Sequence, residues 1–175
     1  MAKITLILGG ARSGKSWYSE QLAGKAGRRK LYVATAQALD DEMLMRVASH
    51  RARRGEEWSV IEAPIDISGV ITAKSNEDSI ILIDCLTLWL SNLLGADMDI
   101  IEHSNLLIEA LKSAKSEVIL VSSEVGMGIV PDNALARQFR DYAGVLHQRV
   151  AEVADLLVIM VAGVPMVVKG QVQNG

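Results

Sequence analysis

The chain has little of several features that mark particular classes of protein. Its 175 residues include one cysteine, Cys85, which excludes an internal disulfide and fits a reducing compartment. Aromatic residues make up 4% of the chain and hydrophobic residues 50%, so we expect an aliphatic core. A formal net charge of −3 gives the whole chain no attraction to nucleic acid or to anionic membranes.

The features of export and of membrane insertion are also missing. The N-terminal residues run directly into an apolar segment, without the basic region, apolar core and cleavage site of a signal peptide. Apolar runs within residues 156–168 are interrupted by Gly163 and Pro165 and are too short to span a bilayer. We therefore expect a cytoplasmic protein with no membrane span and no nucleic-acid partner. Its length predicts a single domain over residues 1–175.

One motif is complete. Residues 9–16 match the phosphate-binding pattern G-x-x-x-x-G-K-[ST], with an apolar run before them and a helix-like run after them. Such a loop turns successive backbone N–H groups toward phosphates, while its lysine reaches the terminal phosphates and its serine holds Mg²⁺. The sequence thus predicts a nucleoside triphosphate bound with Mg²⁺. The loop residues are Gly9, Gly10, Ala11, Arg12, Ser13, Gly14, Lys15 and Ser16.

Strand-like and helix-like segments alternate along the chain. Strands are predicted at 4–8, 31–35, 58–63, 79–84, 118–124, 156–162 and 166–169, the last two as a hairpin across 163–165. Helices are predicted at 15–24, from about 40 to 54, and at 65–73, 86–94, 100–114 and 133–154. This pattern predicts an α/β fold, a P-loop NTPase of the RecA-like type with a mostly parallel sheet and helices on both faces.

Ligands of such sheets bind at the carboxyl ends of the strands, which brings Thr35, Asp84 and Glu124 near the P-loop. Asp84 ends a buried apolar strand, where an acid binds Mg²⁺ beside the P-loop serine; capping of the next helix is the alternative. Glu62 either accepts hydrogen bonds from a ribose or base or is a surface carboxylate. Glu124 begins a glycine-rich loop that ends at Pro131. This loop is either a flexible turn or a segment whose backbone lies close to a ligand or a partner chain.

A basic segment containing Arg46, Arg51, Arg53 and Arg54 surrounds His50. Such a basic cluster is typical of a site that binds phosphates, and it is equally typical of a solvent-exposed helix face. Neighbouring cations disfavour the imidazolium form, so His50 would be a neutral nucleophile able to form a covalent nucleotidyl intermediate. A partly buried helix histidine without chemistry is the alternative. The other two histidines have no motif near them.

Six segments together resemble one family. They are Gly-Gly-Ala-Arg-Ser-Gly-Lys-Ser at 9–16, Tyr-Val-Ala-Thr-Ala at 32–36, Asp-Asp-Glu-Met at 40–43, His-Arg-Ala-Arg-Arg at 50–54, Asp-Cys-Leu-Thr-Leu-Trp at 84–89 and Glu-Val-Gly-Met-Gly-Ile-Val-Pro at 124–131. In this order they resemble the bifunctional adenosylcobinamide kinase / adenosylcobinamide-phosphate guanylyltransferase family of cobalamin biosynthesis. The segments at 50–54 and 124–131 are the most distinctive, and the resemblance spans nearly the whole chain.

The resemblance implies two reactions. The first phosphorylates the aminopropanol hydroxyl of adenosylcobinamide with GTP or ATP. The second transfers GMP from GTP to that phosphate through a guanylyl-histidine, whose position here is His50. It also implies a homotrimer. Apart from the P-loop, the nucleotide-contacting positions that it implies are Ala34, Thr35, Ala36, Arg51, Ala52, Arg53, Arg54, Glu62 and Asp84, and Gly55 stands where the family often has proline.

Two other functions remain alternatives. A small-molecule P-loop kinase would phosphorylate a hydroxyl without forming a covalent intermediate. A nucleotide-dependent switch or ATPase would use the loop at 124–131 to bind a partner. The guanine signature N-K-x-D and the protein-kinase motifs H-R-D and D-F-G are absent from the sequence.

Overall fold

The computed structural model describes residues 2–24, 27–37 and 57–172. Its strands are β1 (Ile4–Gly9), β2 (Arg29–Ala34), β3 (Trp58–Glu62), β4 (Ser79–Asp84), β5 (Glu117–Ser123), β6 (Leu156–Val161) and β7 (Val164–Lys169). The described helices are α1 (Lys15–Gly24), α2 (Ile67–Lys74), α3 (Leu86–Gly95), α4 (Ile100–Ser113) and α5 (Ala134–Val153). The helix predicted from about 40 to 54 lies outside the described residues.

The strands form one seven-stranded sheet in the order β3-β2-β4-β5-β1-β6-β7. Every neighbouring pair is parallel except the β6–β7 hairpin. Strand β5 therefore lies between β1, which leads into the P-loop, and β4, which ends at Asp84. The predicted α/β fold with a mostly parallel sheet is confirmed.

Helices cover both faces of the sheet. One face packs against α2, α3, α4 and α5 through side chains such as Leu6, Ile81 and Leu120. The other face packs against α1 through side chains such as Ile7 and Leu82. Because successive side chains of a strand point to opposite faces, a central strand of this sheet must be apolar at every position. This explains the uninterrupted apolar sequence of β4.

Short polar side chains fix the starts of four helices. Asp66, Cys85, Asp99 and Asn133 each accept a backbone N–H of the following first turn. These caps supply acceptors for N–H groups that no residue of the same helix can bind. Helix α2 therefore begins at Ile67, two residues later than its apolar spacing predicts.

The hairpin between β6 and β7 differs from the prediction of a turn over 163–165. The turn consists of Ala162 and Gly163, with φ angles of 50° and 82°, and β7 already begins at Val164. Pro165 consequently lies within a strand. A strand tolerates proline at the edge of a sheet, where a missing N–H breaks no ladder between central strands.

None of the described helices is long and apolar enough to cross a membrane.

Candidate nucleotide-binding site

The P-loop connects β1 to α1 in a tight turn. Ser13 N donates to the carbonyl of Gly10 at 3.3 Å, and Tyr18 N donates to the carbonyl of Gly14 at 3.0 Å. At Gly9, φ is 154° and a Cβ atom would lie 2.7 Å from the Met160 carbonyl oxygen, so no larger residue fits without a shift of the backbone. The loop thus has the compact form in which consecutive N–H groups converge on an anion.

Lys15 lies inside this loop. Its Nζ donates to the Gly10 carbonyl at 2.5 Å, and its side chain is largely buried. Burial lowers the pKa of Lys15, while the nearby Cys85 and Asp84 act in the opposite direction. The carboxyl end of β4 lies two strand positions from β1, with β5 between them, as expected for strand ends that meet at one edge of the sheet.

Asp84 occupies the tip of β4 and is half-buried. Tyr32 donates its hydroxyl to Oδ2 of Asp84 at 3.1 Å. Carboxylate and hydroxyl oxygens suit Mg²⁺, which commonly takes one or two protein ligands and completes its shell with water and substrate phosphates. The described residues contain no cluster of three or more His, Cys, Asp or Glu side chains suited to a metal.

Thr35 is fully buried, and its hydroxyl is already bound. Thr35 Oγ1 donates to the Cys85 carbonyl at 2.8 Å and accepts from Cys85 N at 2.7 Å. Asn92 of α3 donates its amide to the Thr35 carbonyl at 2.7 Å. The Thr35 side chain therefore holds the residue that follows Asp84, and Thr35 N donates to the Asp84 carbonyl at 3.3 Å. The predicted nucleotide contact of Thr35 stays a prediction.

Cys85 is the N-cap of α3. Its Sγ accepts from Leu88 N at 3.5 Å as a helix cap. Burial, assisted by the charge of Asp84, raises the pKa of the Cys85 thiol to about 11. The thiol is therefore neutral at physiological pH.

A chain of three polar side chains, two of them buried and one half-buried, lies behind the tip of β5, and sequence reasoning missed it. His147 Nε2 lies 2.8 Å from Ser122 Oγ, and Ser122 Oγ lies 3.1 Å from Thr87 Oγ1. Thr87 Oγ1 also accepts from Ser123 N at 2.6 Å. These contacts join α5, β5 and α3 below the carboxyl edge of the sheet. Only the serines and threonine near strand ends hinted at them, because His147 has no motif.

The predicted residues of β2 and β3 lie at the same sheet edge but farther from the P-loop. Glu62 ends β3 in register with Ala34, and its side chain is exposed. Ala36 follows Thr35 and is half-buried. Four strand spacings separate β3 from β1, about 19 Å at about 4.8 Å each. Glu62 is thus placed far from the phosphate end of the candidate site, where a ribose or base contact is more suitable than a phosphate contact.

The turn between β6 and β7 contacts the P-loop from the opposite side. Gly163 N donates to the Ser13 carbonyl at 3.1 Å, and the Cα of Gly163 would lie 3.5 Å from a Cβ placed on Gly14. The hairpin therefore supports the loop mechanically. The remaining predicted site residues lie outside the described part of the chain: His50, Arg51, Ala52, Arg53 and Arg54.

Comparison with known proteins gives consistent results. Residues 5–168 match the family model described as cobinamide kinase / cobinamide phosphate guanyltransferase. The chain is 45% identical over 168 residues to a bifunctional adenosylcobalamin biosynthesis protein, CobP, of Pseudomonas aeruginosa, covering 95% of this chain and 97% of that protein. It is 41% identical over 179 residues to the protein CobU of Salmonella typhimurium, with coverage of 94% and 98%. The solved RadB recombinase aligns at 14% identity and a TM-score of 0.49, over 90% of this chain and 73% of that one.

Proposed function

Because the chain belongs to the cobinamide kinase / cobinamide phosphate guanyltransferase family, we propose that it catalyses both reactions on adenosylcobinamide. It phosphorylates the aminopropanol hydroxyl with GTP or ATP, then transfers GMP from GTP to the new phosphate, releasing pyrophosphate and forming adenosylcobinamide-GDP. The observation that carries the proposal is the position of Asp84 beside Lys15 of a complete P-loop, at the carboxyl edge of a parallel sheet. All described strands join this sheet, which supports the assignment of both reactions to one domain.

The phosphates of the nucleotide bind in the loop of residues 9–16. Backbone N–H groups of this loop and the N-terminus of α1 surround the phosphates, and the Lys15 ammonium neutralises charge on the transferred group. Ser16 and Asp84 are the residues that would hold Mg²⁺. When bound, Mg²⁺ offsets the phosphate charge that develops as a phosphorus–oxygen bond breaks.

Guanylyl transfer needs a different attacking group. In the kinase reaction a substrate hydroxyl attacks the γ-phosphorus, whereas in guanylyl transfer His50 attacks the α-phosphorus and pyrophosphate leaves. The phosphate of adenosylcobinamide phosphate then attacks the guanylyl-histidine and frees His50. Arg51, Arg53 and Arg54 would bind the phosphates during this reaction, and Ala34, Ala36 and Glu62 would contact the nucleoside. These roles rest on the family pattern.

Assembly and location complete the proposal. We assign a homotrimer, as the sequence resemblance implies, working in the cytoplasm, where the free Cys85 stays reduced. The edge strand β7 exposes the apolar side chains of Val164, Met166 and Val168, which is consistent with association between copies. Sedimentation velocity should give the mass of three copies of the 18.9 kDa chain, and a monomer at micromolar concentration would contradict this assignment.

Product analysis tests the two reactions. With adenosylcobinamide, GTP and Mg²⁺, mass spectrometry should detect first a phosphorylated corrinoid and then a corrinoid carrying GDP. The variant His50→Ala should accumulate the phosphorylated corrinoid, because its kinase reaction does not need His50. If the unchanged protein stops at the phosphorylated corrinoid, it is a kinase without nucleotidyl transfer. If GTP is hydrolysed and the corrinoid stays unmodified, the protein is a switch or ATPase.

A further inference from the structure

The kinase reaction requires a group that accepts a proton. The attacking hydroxyl of the substrate loses its hydrogen as its oxygen bonds to the γ-phosphorus, and a positioned carboxylate or histidine ordinarily takes that hydrogen. The residues assigned above bind phosphates, hold Mg²⁺ or attack the α-phosphorus. None of them is assigned to the hydroxyl proton.

Glu124 lies at the appropriate edge of the sheet. It directly follows β5, the strand between β1 and β4. Its backbone N–H donates at 3.0 Å to the carbonyl of Gly9, the first residue of the P-loop. In the parallel register Ser123 pairs with Gly9 and Val121 pairs with Asp84, so Glu124 extends beyond both neighbouring strand ends. The backbone therefore places this residue next to the start of the phosphate-binding loop.

The carboxylate of Glu124 is oriented and still able to accept a proton. One of its oxygens, Oε1, accepts the N–H of Gly126, which holds the side chain against its own loop. Glu124 forms no ion pair within the described residues. Its charge acts on His147, but burial lowers the pKa of His147 and favours the neutral imidazole. It is half-buried, in a position between solvent and the protein interior.

The hydrogen-bonded chain of Thr87, Ser122 and His147 fixes the strand end that carries Glu124. Thr87 binds the backbone N–H of Ser123, the residue before Glu124, and Ser122 contacts His147 of α5. Precise placement of a catalytic group requires such supporting contacts on rigid elements. This role accounts for three polar side chains that are otherwise unexplained in a mostly aliphatic core.

Other acids and bases of the described edge are less suitable. Asp84 accepts a hydrogen bond from Tyr32 and lies on the sheet face of α1, where it suits the metal. Glu62 lies four strands from the P-loop strand. His147 is almost fully buried, with Nε2 in contact with Ser122.

A cavity begins at Val125, the residue after Glu124, and lies between α3 and α5. Its volume is about 630 Å³, within the range of small-molecule sites. Val125, the residue after Glu124, lines it together with Leu94, Pro131 and Phe139. Glu124 itself is not part of the lining, so the cavity is adjacent to this residue along the chain and does not include it.

We propose that Glu124 is the general base of the kinase reaction, an inference that rests on the function proposed above. The hydroxyl proton of the acceptor moves to the Glu124 carboxylate as the hydroxyl oxygen bonds to the γ-phosphorus. The bond between the γ-phosphorus and the β–γ bridging oxygen breaks, and GDP or ADP leaves. Guanylyl transfer has no such requirement, because both its nucleophiles, a neutral imidazole and a phosphate anion, attack without losing a proton.

This difference between the two reactions defines the experiment. Glu124→Gln keeps an oxygen that can accept the Gly126 N–H but removes the proton acceptor. Its kcat for phosphorylation of adenosylcobinamide should fall about 10²- to 10⁴-fold with little change in KM for GTP. Guanylyl transfer to supplied adenosylcobinamide phosphate should stay near the rate of the unchanged protein. Asp132→Asn, which removes an exposed carboxylate from the same connection, is the matched control and should leave both rates unchanged.

Two results would overturn the role of Glu124. One is kinase activity of Glu124→Gln within about threefold of the unchanged protein. The other is an equal loss of both reactions, which would place Glu124 in nucleotide binding or in folding. Absence of kinase activity from the unchanged protein would instead refute the proposed function itself, so the two failures are distinguishable.

Discussion

The hydroxyl of Thr35 should be a measurable contributor to stability, and Thr35→Val isolates it. Valine has nearly the shape of threonine, so the replacement leaves no cavity at this fully buried position. It does remove the acceptor that binds Cys85 N at 2.7 Å. The Cys85 carbonyl loses the Thr35 donor but keeps the N–H of Trp89 at 3.1 Å. The main consequence is one buried N–H without a partner.

Such an orphaned donor costs about 1–3 kcal/mol. Urea denaturation should therefore show a lower free energy of unfolding for Thr35→Val, with an unchanged m value and a midpoint lower by about 1 M. Thr72→Val makes the same chemical change at an exposed position of α2 and should alter stability by no more than about 0.5 kcal/mol. If Thr35→Val is as stable as the unchanged protein, the Thr35–Cys85 contacts do not have the importance assigned to them.

Two further variants test the packing of the P-loop and the buried histidine. Gly9→Ala places a Cβ 2.7 Å from the Met160 carbonyl oxygen, so it should lower the free energy of unfolding by about 1–3 kcal/mol and weaken GTP binding. Gly144→Ala, on the exposed side of α5, should raise the free energy of unfolding by about 0.5–1 kcal/mol. Equal effects of the two substitutions on thermal unfolding would contradict this contrast. Burial lowers the pKa of His147, although the charge of Glu124 acts in the opposite direction. The stabilising contribution of the neutral His147 is therefore complete above pH ~6.5 and is lost as the pH falls toward the lowered pKa. His147→Gln should therefore reduce the fall in unfolding free energy between pH ~6.5 and 5.5, by at most about 1.4 kcal/mol per pH unit, and an unchanged slope would refute the assignment.

Local patterns were sufficient to predict most of the framework. The bounds of α1 and β4 agree with their predictions, because a complete motif defines one and an unbroken apolar run defines the other. The hairpin was less predictable: Pro165 reads as a turn residue in sequence, and only its place on the edge strand makes it acceptable within β7. Capping likewise shifted the start of α2 to Ile67.

The site was predictable where a motif carries it and not where tertiary contacts do. Strand-end position alone grouped Asp84 and Glu124 near the P-loop. The contacts of Tyr32 with Asp84 and of His147 with Ser122 join residues 52 and 25 positions apart, so no local pattern could reveal them. Thr35 shows the limit of the family resemblance, which implies a nucleotide contact at this residue. Its hydroxyl is hydrogen-bonded to the backbone of Cys85.

Transfer of label from the α-phosphate of GTP to the protein is the most direct test of the central claim, that guanylyl transfer proceeds through His50. GTP labelled at the α-phosphate should leave label on the unchanged protein that is stable in base and lost in acid, as expected of a phosphorus–nitrogen bond. GTP labelled at the γ-phosphate should leave none. His50→Ala should carry no α-label, while His103→Ala on α4 should be labelled normally. Label that persists in His50→Ala, or an unchanged protein that takes up no α-label, would contradict the account.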